Sequence, residues 1–89
     1  MTQKFNKLTS AKMRLLQKNF FDLYDELRYA YGGNQCYVDK FDELLNNNSF
    51  KENILFPFNE WRNDVITSDG EAIVFIVACI ESGIIPDCK

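Results

Sequence analysis

A chain of 89 residues with 46% apolar and 15% aromatic side chains is expected to form a single domain with its own core, and its composition excludes a disordered chain. It contains no histidine, so it lacks the usual general base and the usual zinc ligand. Its net charge of −3 favours a basic partner over a nucleic acid.

The charge is divided along the chain. Residues 1–18 hold Lys4, Lys7, Lys12, Arg14 and Lys18 and no acid, and all thirteen acids lie beyond them. Met1–Phe21 has no continuous apolar stretch, so it does not read as a signal peptide. The longest apolar run is Ala72–Ile80, far short of the roughly 20 residues a membrane span needs. Cys36, Cys79 and Cys88 are odd in number and lack framework spacing, which points to a reduced, cytoplasmic protein. Nothing in that spacing supports a Cys79–Cys88 disulfide.

In chain order, the first element is an amphipathic helix. Met13, Leu16, Phe20, Leu23, Leu27 and Ala30 recur at steps of three and four, with Leu15, Phe21, Tyr24 and Tyr31 widening the stripe. Thr9 or Ser10 can cap its start, and Gly32-Gly33-Asn34 can end it. The expected span is Ser10–Tyr31.

A second helix is expected over Tyr37–Leu45, with Tyr37 or Val38, Phe41, Leu44 and Leu45 inward. Asn46-Asn47-Asn48 should break it, because asparagine side chains compete for backbone hydrogen bonds. Ser49-Phe50-Lys51-Glu52 has capping-box spacing. It precedes a third helical region, Phe50–Val65, whose stripe is Ile54, Phe58, Trp61 and Val65. Pro57 should break or kink that region and open a new turn.

Residues 64–82 admit two readings. Asp69-Gly70 can be the turn of a hairpin. Alternatively Ser68-Asp69-Gly70-Glu71 is a capping box, Gly83 a C-terminal glycine and Pro86 the stop that follows. A buried helix over Asp69–Ser82 is favoured. The expected fold is therefore all-α, a small bundle of about four helices. The alternative is α+β with a C-terminal hairpin. The expected core is Leu16, Phe20, Leu23, Leu27, Phe41, Leu44, Leu45, Ile54, Phe58, Trp61, Ile73, Ile76, Val77 and Ile80.

No catalytic constellation emerges. Gly32-Gly33 is followed by no Lys-Ser or Lys-Thr and is no phosphate loop, and no Asp-rich calcium loop is present. Ser68 reads as a cap and Trp61 as core. No enzyme activity, metal or cofactor is expected. The side chains that suggest a function are Asp22, Asp25 and Glu26 on the first helix and Asp39, Asp42 and Glu43 on the second. If a short connection lays these helices side by side, the six acids converge near Tyr29 and Tyr37. Tyrosines beside charges are enriched at interfaces.

The expectation is a small acidic inhibitor. It would occlude a basic site on a nuclease toxin or a nucleic-acid-binding defence complex, as toxin-immunity proteins and phage-encoded inhibitors do. The competing readings are a solvated acidic face, a structural subunit of a helical assembly, and a nucleic-acid or regulatory module that uses the basic N-terminal segment. Direct nucleic-acid binding is disfavoured by the acidic body, and that basic segment has an intramolecular reading as its counterweight.

Overall fold

The computed structural model describes residues 4–29 and 35–87. The fold is all-α, with no strand among the described residues. The helices are α1 (Ser10–Leu27), α2 (Gln35–Leu44), α3 (Asn48–Phe50), α4 (Phe56–Arg62) and α5 (Asp69–Glu81). A π-helical turn, Lys51–Leu55, joins α3 to α4, so residues 48–62 form one continuous helical body.

The hairpin alternative fails because α5 has both its ends specified. Ser68 Oγ accepts from the Glu71 N–H at 3.2 Å, which satisfies one of the unpaired donors of the first turn. At the other end Gly83 has φ +74°. The Gly83 N–H bonds to Ile80 O and the Ile84 N–H to Cys79 O, the paired bonds of a Schellman motif. Between these ends Ala72, Ile73, Val74, Phe75, Ile76, Ala78 and Cys79 are all buried. A helix that is apolar all round belongs at the centre of a fold, and both α1 and α2 pack chiefly against α5.

Aromatic rings join the helices. Phe75 lies 6.2 Å from Phe41 on α2, 6.0 Å from Phe50 on α3 and 4.9 Å from Phe58 on α4, centroid to centroid. Phe20 on α1 meets Phe58 at 4.9 Å. Such tilted and edge-on pairs add roughly 0.5–1.5 kcal/mol each beyond area burial.

Helix α1 runs antiparallel to α5. Lys12 and Asn19 meet Ser82 at one end, and Tyr24 meets Glu71 at the other. Its regular turns stop at Leu27, earlier than the expected Tyr31. The Gly32-Gly33-Asn34 stop lies outside the described residues. Thr9 is the N-cap, accepting from Lys12 N–H at 3.1 Å.

The third region differs most from expectation. Its cap is Asn47, not Ser49. The Asn47 Oδ1 accepts from Phe50 N–H at 3.0 Å and from Ser49 Oγ at 2.8 Å. Pro57 stands in the first turn of α4, where a proline opens a new turn, and the helical body continues through it from the π-helical turn. The Phe56 N–H reaches back five residues to Lys51 O, and this wider turn eases the clash between the proline ring and the preceding carbonyls. The helix then ends at Asn63, in the left-handed region at φ 60°, two residues before the expected Val65. That stop turns Val65 out, 59% exposed.

Trp61 and Leu45 are also removed from the expected core, at 49% and 37% exposed. Ile54 and Phe58 both stay buried across the π-helical turn, so the stripe holds through Phe58 and departs from the core only at Trp61, in the last turn of α4. Leu45 lies one residue past the end of α2. Leu23, Leu27 and Ile80 are partly buried and pack against the core, and Val77 is half-buried. Their places inside are taken by Phe5, Phe50, Leu55, Ile66 and Val74, among others.

Phe5 ties down the start of the chain. Its N–H donates to Ser49 Oγ at 2.9 Å, and its carbonyl accepts from Asn53 Nδ2 at 2.8 Å. Its ring meets Phe50 edge-on at 5.1 Å.

Candidate functional site

All six acids singled out from the sequence are exposed. On α1, Asp22 takes the Lys18 ammonium at 2.7 Å. Asp25 is 93% exposed by its side chain, with Arg28 no closer than 3.9 Å. Glu26 is exposed beside it. On α2, Asp39 accepts from Gln35 Nε2 at 2.9 Å, and Glu43 meets Lys40 at 3.3 Å. Asp42 is exposed and its backbone carbonyl accepts from Asn46 Nδ2.

The tyrosines divide. Tyr29 is 67% exposed, and the Arg28 guanidinium carbon sits 4.6 Å from its ring centroid and 5.1 Å from that of Tyr24. Tyr37 is half-buried and packs against the core cluster, so most of its ring is withheld from any surface. Tyr31 lies outside the described residues. The two acidic helices do not form a simple side-by-side pair. Each makes its main contacts with α5 rather than with the other.

The basic start has partly internal roles. Lys12 Nζ donates to Ser82 O at 2.9 Å, placing its charge at the electronegative C-terminus of α5. An ammonium at the N-terminus of α1 opposes that helix's own dipole, and the antiparallel neighbour explains its position. Lys18 pairs with Asp22. Lys4, Lys7 and Arg14 are exposed and make no ion pair among the described residues. Lys7 and Arg14 line an open groove of about 570 Å³ with Ser10, Asn53 and Pro57.

A partly buried polar network lies beneath the α1–α4 junction. Arg62 Nη2 meets Glu71 Oε2 at 2.7 Å, with the side chains only 14% and 16% exposed. Tyr24 Oη approaches the same carboxylate oxygen at 3.5 Å. Arg62 Nη1 is buried with no hydrogen-bond partner among the described residues, and the guanidinium carbon lies 5.2 Å from the Phe20 centroid. A cation over a ring face recovers part of that lost solvation.

Above this network is a feature that the sequence stripe concealed. Phe21, 78% exposed, and Trp61 line a groove of about 310 Å³ together with Phe20, Tyr24, Asp25 and Arg62. The signal for Phe21 was available. At about 100° per residue it stands a full step off the stripe through Leu16, Phe20 and Leu27. No such signal existed for Trp61, because it stands three residues after the buried Phe58 and so on the stripe itself.

Among the described residues no three His, Cys, Asp or Glu side chains gather to hold a metal ion. No described helix is long and apolar enough to cross a membrane. Cys36 is exposed and Cys79 buried, both as free thiols. Burial pushes the Cys79 thiol far above the usual thiol range by disfavouring the thiolate. Comparisons with protein-family models, curated proteins and solved structures find no match to this chain.

Proposed function

We propose that this chain is a small acidic binding protein that occludes a basic surface on another protein. Its class is that of toxin-immunity proteins and phage-encoded inhibitors of nucleases or defence complexes, acting in the cytoplasm. The observation that supports this reading best is the exposure of all six carboxylates, Asp22, Asp25, Glu26, Asp39, Asp42 and Glu43. Of these, Asp42 and Glu26 make no ion pair among the described residues, and Asp25 meets Arg28 only at 3.9 Å. Exposed carboxylates can stand where substrate phosphates would bind and steer fast association. Free thiols at Cys36 and Cys79 fit a reducing compartment.

The test is affinity capture from the encoding organism with wild-type and Asp25→Lys/Asp42→Lys baits, read by quantitative mass spectrometry. The expected result is one basic protein enriched by the wild type and lost from the double variant. The variant should melt as the wild type does, since exposed substitutions usually change stability by less than about 0.5 kcal/mol. Retention of the partner by the variant at low salt refutes the reading. A labelled oligonucleotide shifted with steep salt dependence would transfer the function to Lys4, Lys7 and Arg14.

A further inference from the structure

Phe21 and Trp61 are two large apolar side chains held in solvent on either wall of one groove, 78% and 49% exposed. Scattered exposed hydrophobics need no explanation, but a shared concave site between two helices does. The charges around it are unequal in availability. Arg62, the cation in the wall, is engaged by Glu71 at 2.7 Å and lies 3.8 Å from Asp64. Lys18, one turn before Phe21, is paired with Asp22. Asp25 at the lip stands in solvent, 93% exposed, with Arg28 no closer than 3.9 Å. The groove therefore presents aromatic walls and an accessible carboxylate, with its own cations already engaged.

We propose that this groove receives an amphipathic helix from a protein partner. The helix would place a large apolar side chain between Phe21 and Trp61 and a lysine or arginine against Asp25. The proposal rests on the reading of the chain as a binder of basic proteins and narrows that reading to the α1–α4 face.

A helix fits better than an added strand, because no strand edge exists among the described residues to template one. A second copy fits worse. A two-fold contact centred here brings the Asp22, Asp25 and Glu26 cluster of one copy toward its equivalent. Aromatic anchors in such grooves supply most of the binding energy, while the rim charge sets orientation and on-rate.

Trp61 is the only tryptophan, so its fluorescence reports on the groove directly. The probe is a synthetic amphipathic helical peptide of leucine, alanine and lysine, titrated by calorimetry and by Trp61 emission. Its counterpart with glutamate for lysine is run in parallel. The lysine peptide should give a saturable blue shift and the glutamate peptide none.

Phe21→Ala should weaken binding about tenfold or more without unfolding, since Phe21 is largely exposed. Asp25→Lys should weaken it as well. Heat of binding with silent Trp61 emission and an unaffected Phe21→Ala variant overturns the groove and leaves the acidic-face reading standing. No heat and no shift with the lysine peptide overturns both. An equal response to the glutamate peptide overturns the charge complementarity. A blue shift that grows with protein concentration alone, with a dimer in sedimentation, assigns the face to a second copy and overturns the proposal.

Discussion

Gly70, in the first turn of α5, abuts the backbone of Arg28 at the end of α1 so closely that a β-carbon there would overlap the Arg28 carbonyl oxygen. Gly70 is helical and buried, so the requirement is for space and not for an unusual φ. The obstacle is backbone, which cannot rotate aside as a side chain would. Gly70→Ala should therefore cost roughly 3 kcal/mol, the upper range for overpacking. Urea denaturation monitored by circular dichroism measures it. A loss below about 1 kcal/mol would mean that α1 and α5 are not this close. Gly83→Ala makes a useful contrast, since there the positive φ is the constraint and the nearest atom is the end of the flexible Lys12 side chain.

The Arg62–Glu71 pair should behave as a partly buried ion pair. Glu71→Ala leaves a guanidinium that is 14% exposed with only the exposed Asp64 at 3.8 Å and with Nη1 short of a partner among the described residues. Removing one member of a buried pair costs about 3–5 kcal/mol, whereas replacing both by apolar groups is often nearly neutral. Glu71→Ala should thus lose about 3 kcal/mol, and Arg62→Met/Glu71→Met should recover most of that loss. A double variant as unstable as the single one would show that Glu71 acts through its place in the first turn of α5 and not through Arg62.

Asn47 is 6% exposed although polar, because its side chain caps α3 and holds Ser49, which in turn holds Phe5. Asn47→Ala should cost about 1–2 kcal/mol through the lost cap and should also loosen the N-terminal segment. Hydrogen exchange is the measurement, and faster exchange of the Phe5 amide is the result specific to this relay. If only the amides of α3 speed up, the cap is real but the relay to Phe5 is not.

The two described thiols should react at very different rates. Cys36 is exposed and Cys79 is fully enclosed in α5, where burial holds it protonated. Only the thiolate is nucleophilic, so Cys79 should react only when the fold opens. Peptide mapping after brief alkylation of native protein should find Cys36 modified and Cys79 intact, with Cys79 becoming reactive in denaturant. Rapid native modification of Cys79 would contradict the central placement of α5.

Local rules made much of this fold readable. Thr9, Ser68 and Gly83 act within a turn of their own positions, so capping chemistry located the start of α1 and both ends of α5. The all-α class followed from those ends and from the stripe through Leu16, Phe20 and Leu27. The six carboxylates were expected on outer helix faces because charged groups stay in water, and all six are exposed. Other features depended on contacts between distant segments. Arg28 leaves the helix where Gly70 meets its backbone, some forty residues away in the chain. Phe5 is buried only because Ser49, Phe50 and Asn53 receive it. Trp61 falls on the stripe with the buried Phe58, yet it is 49% exposed and lines the groove shared with Phe21. Periodicity says which residues share a helix face, and only the packing of the neighbouring helices decides how far along that face the core extends.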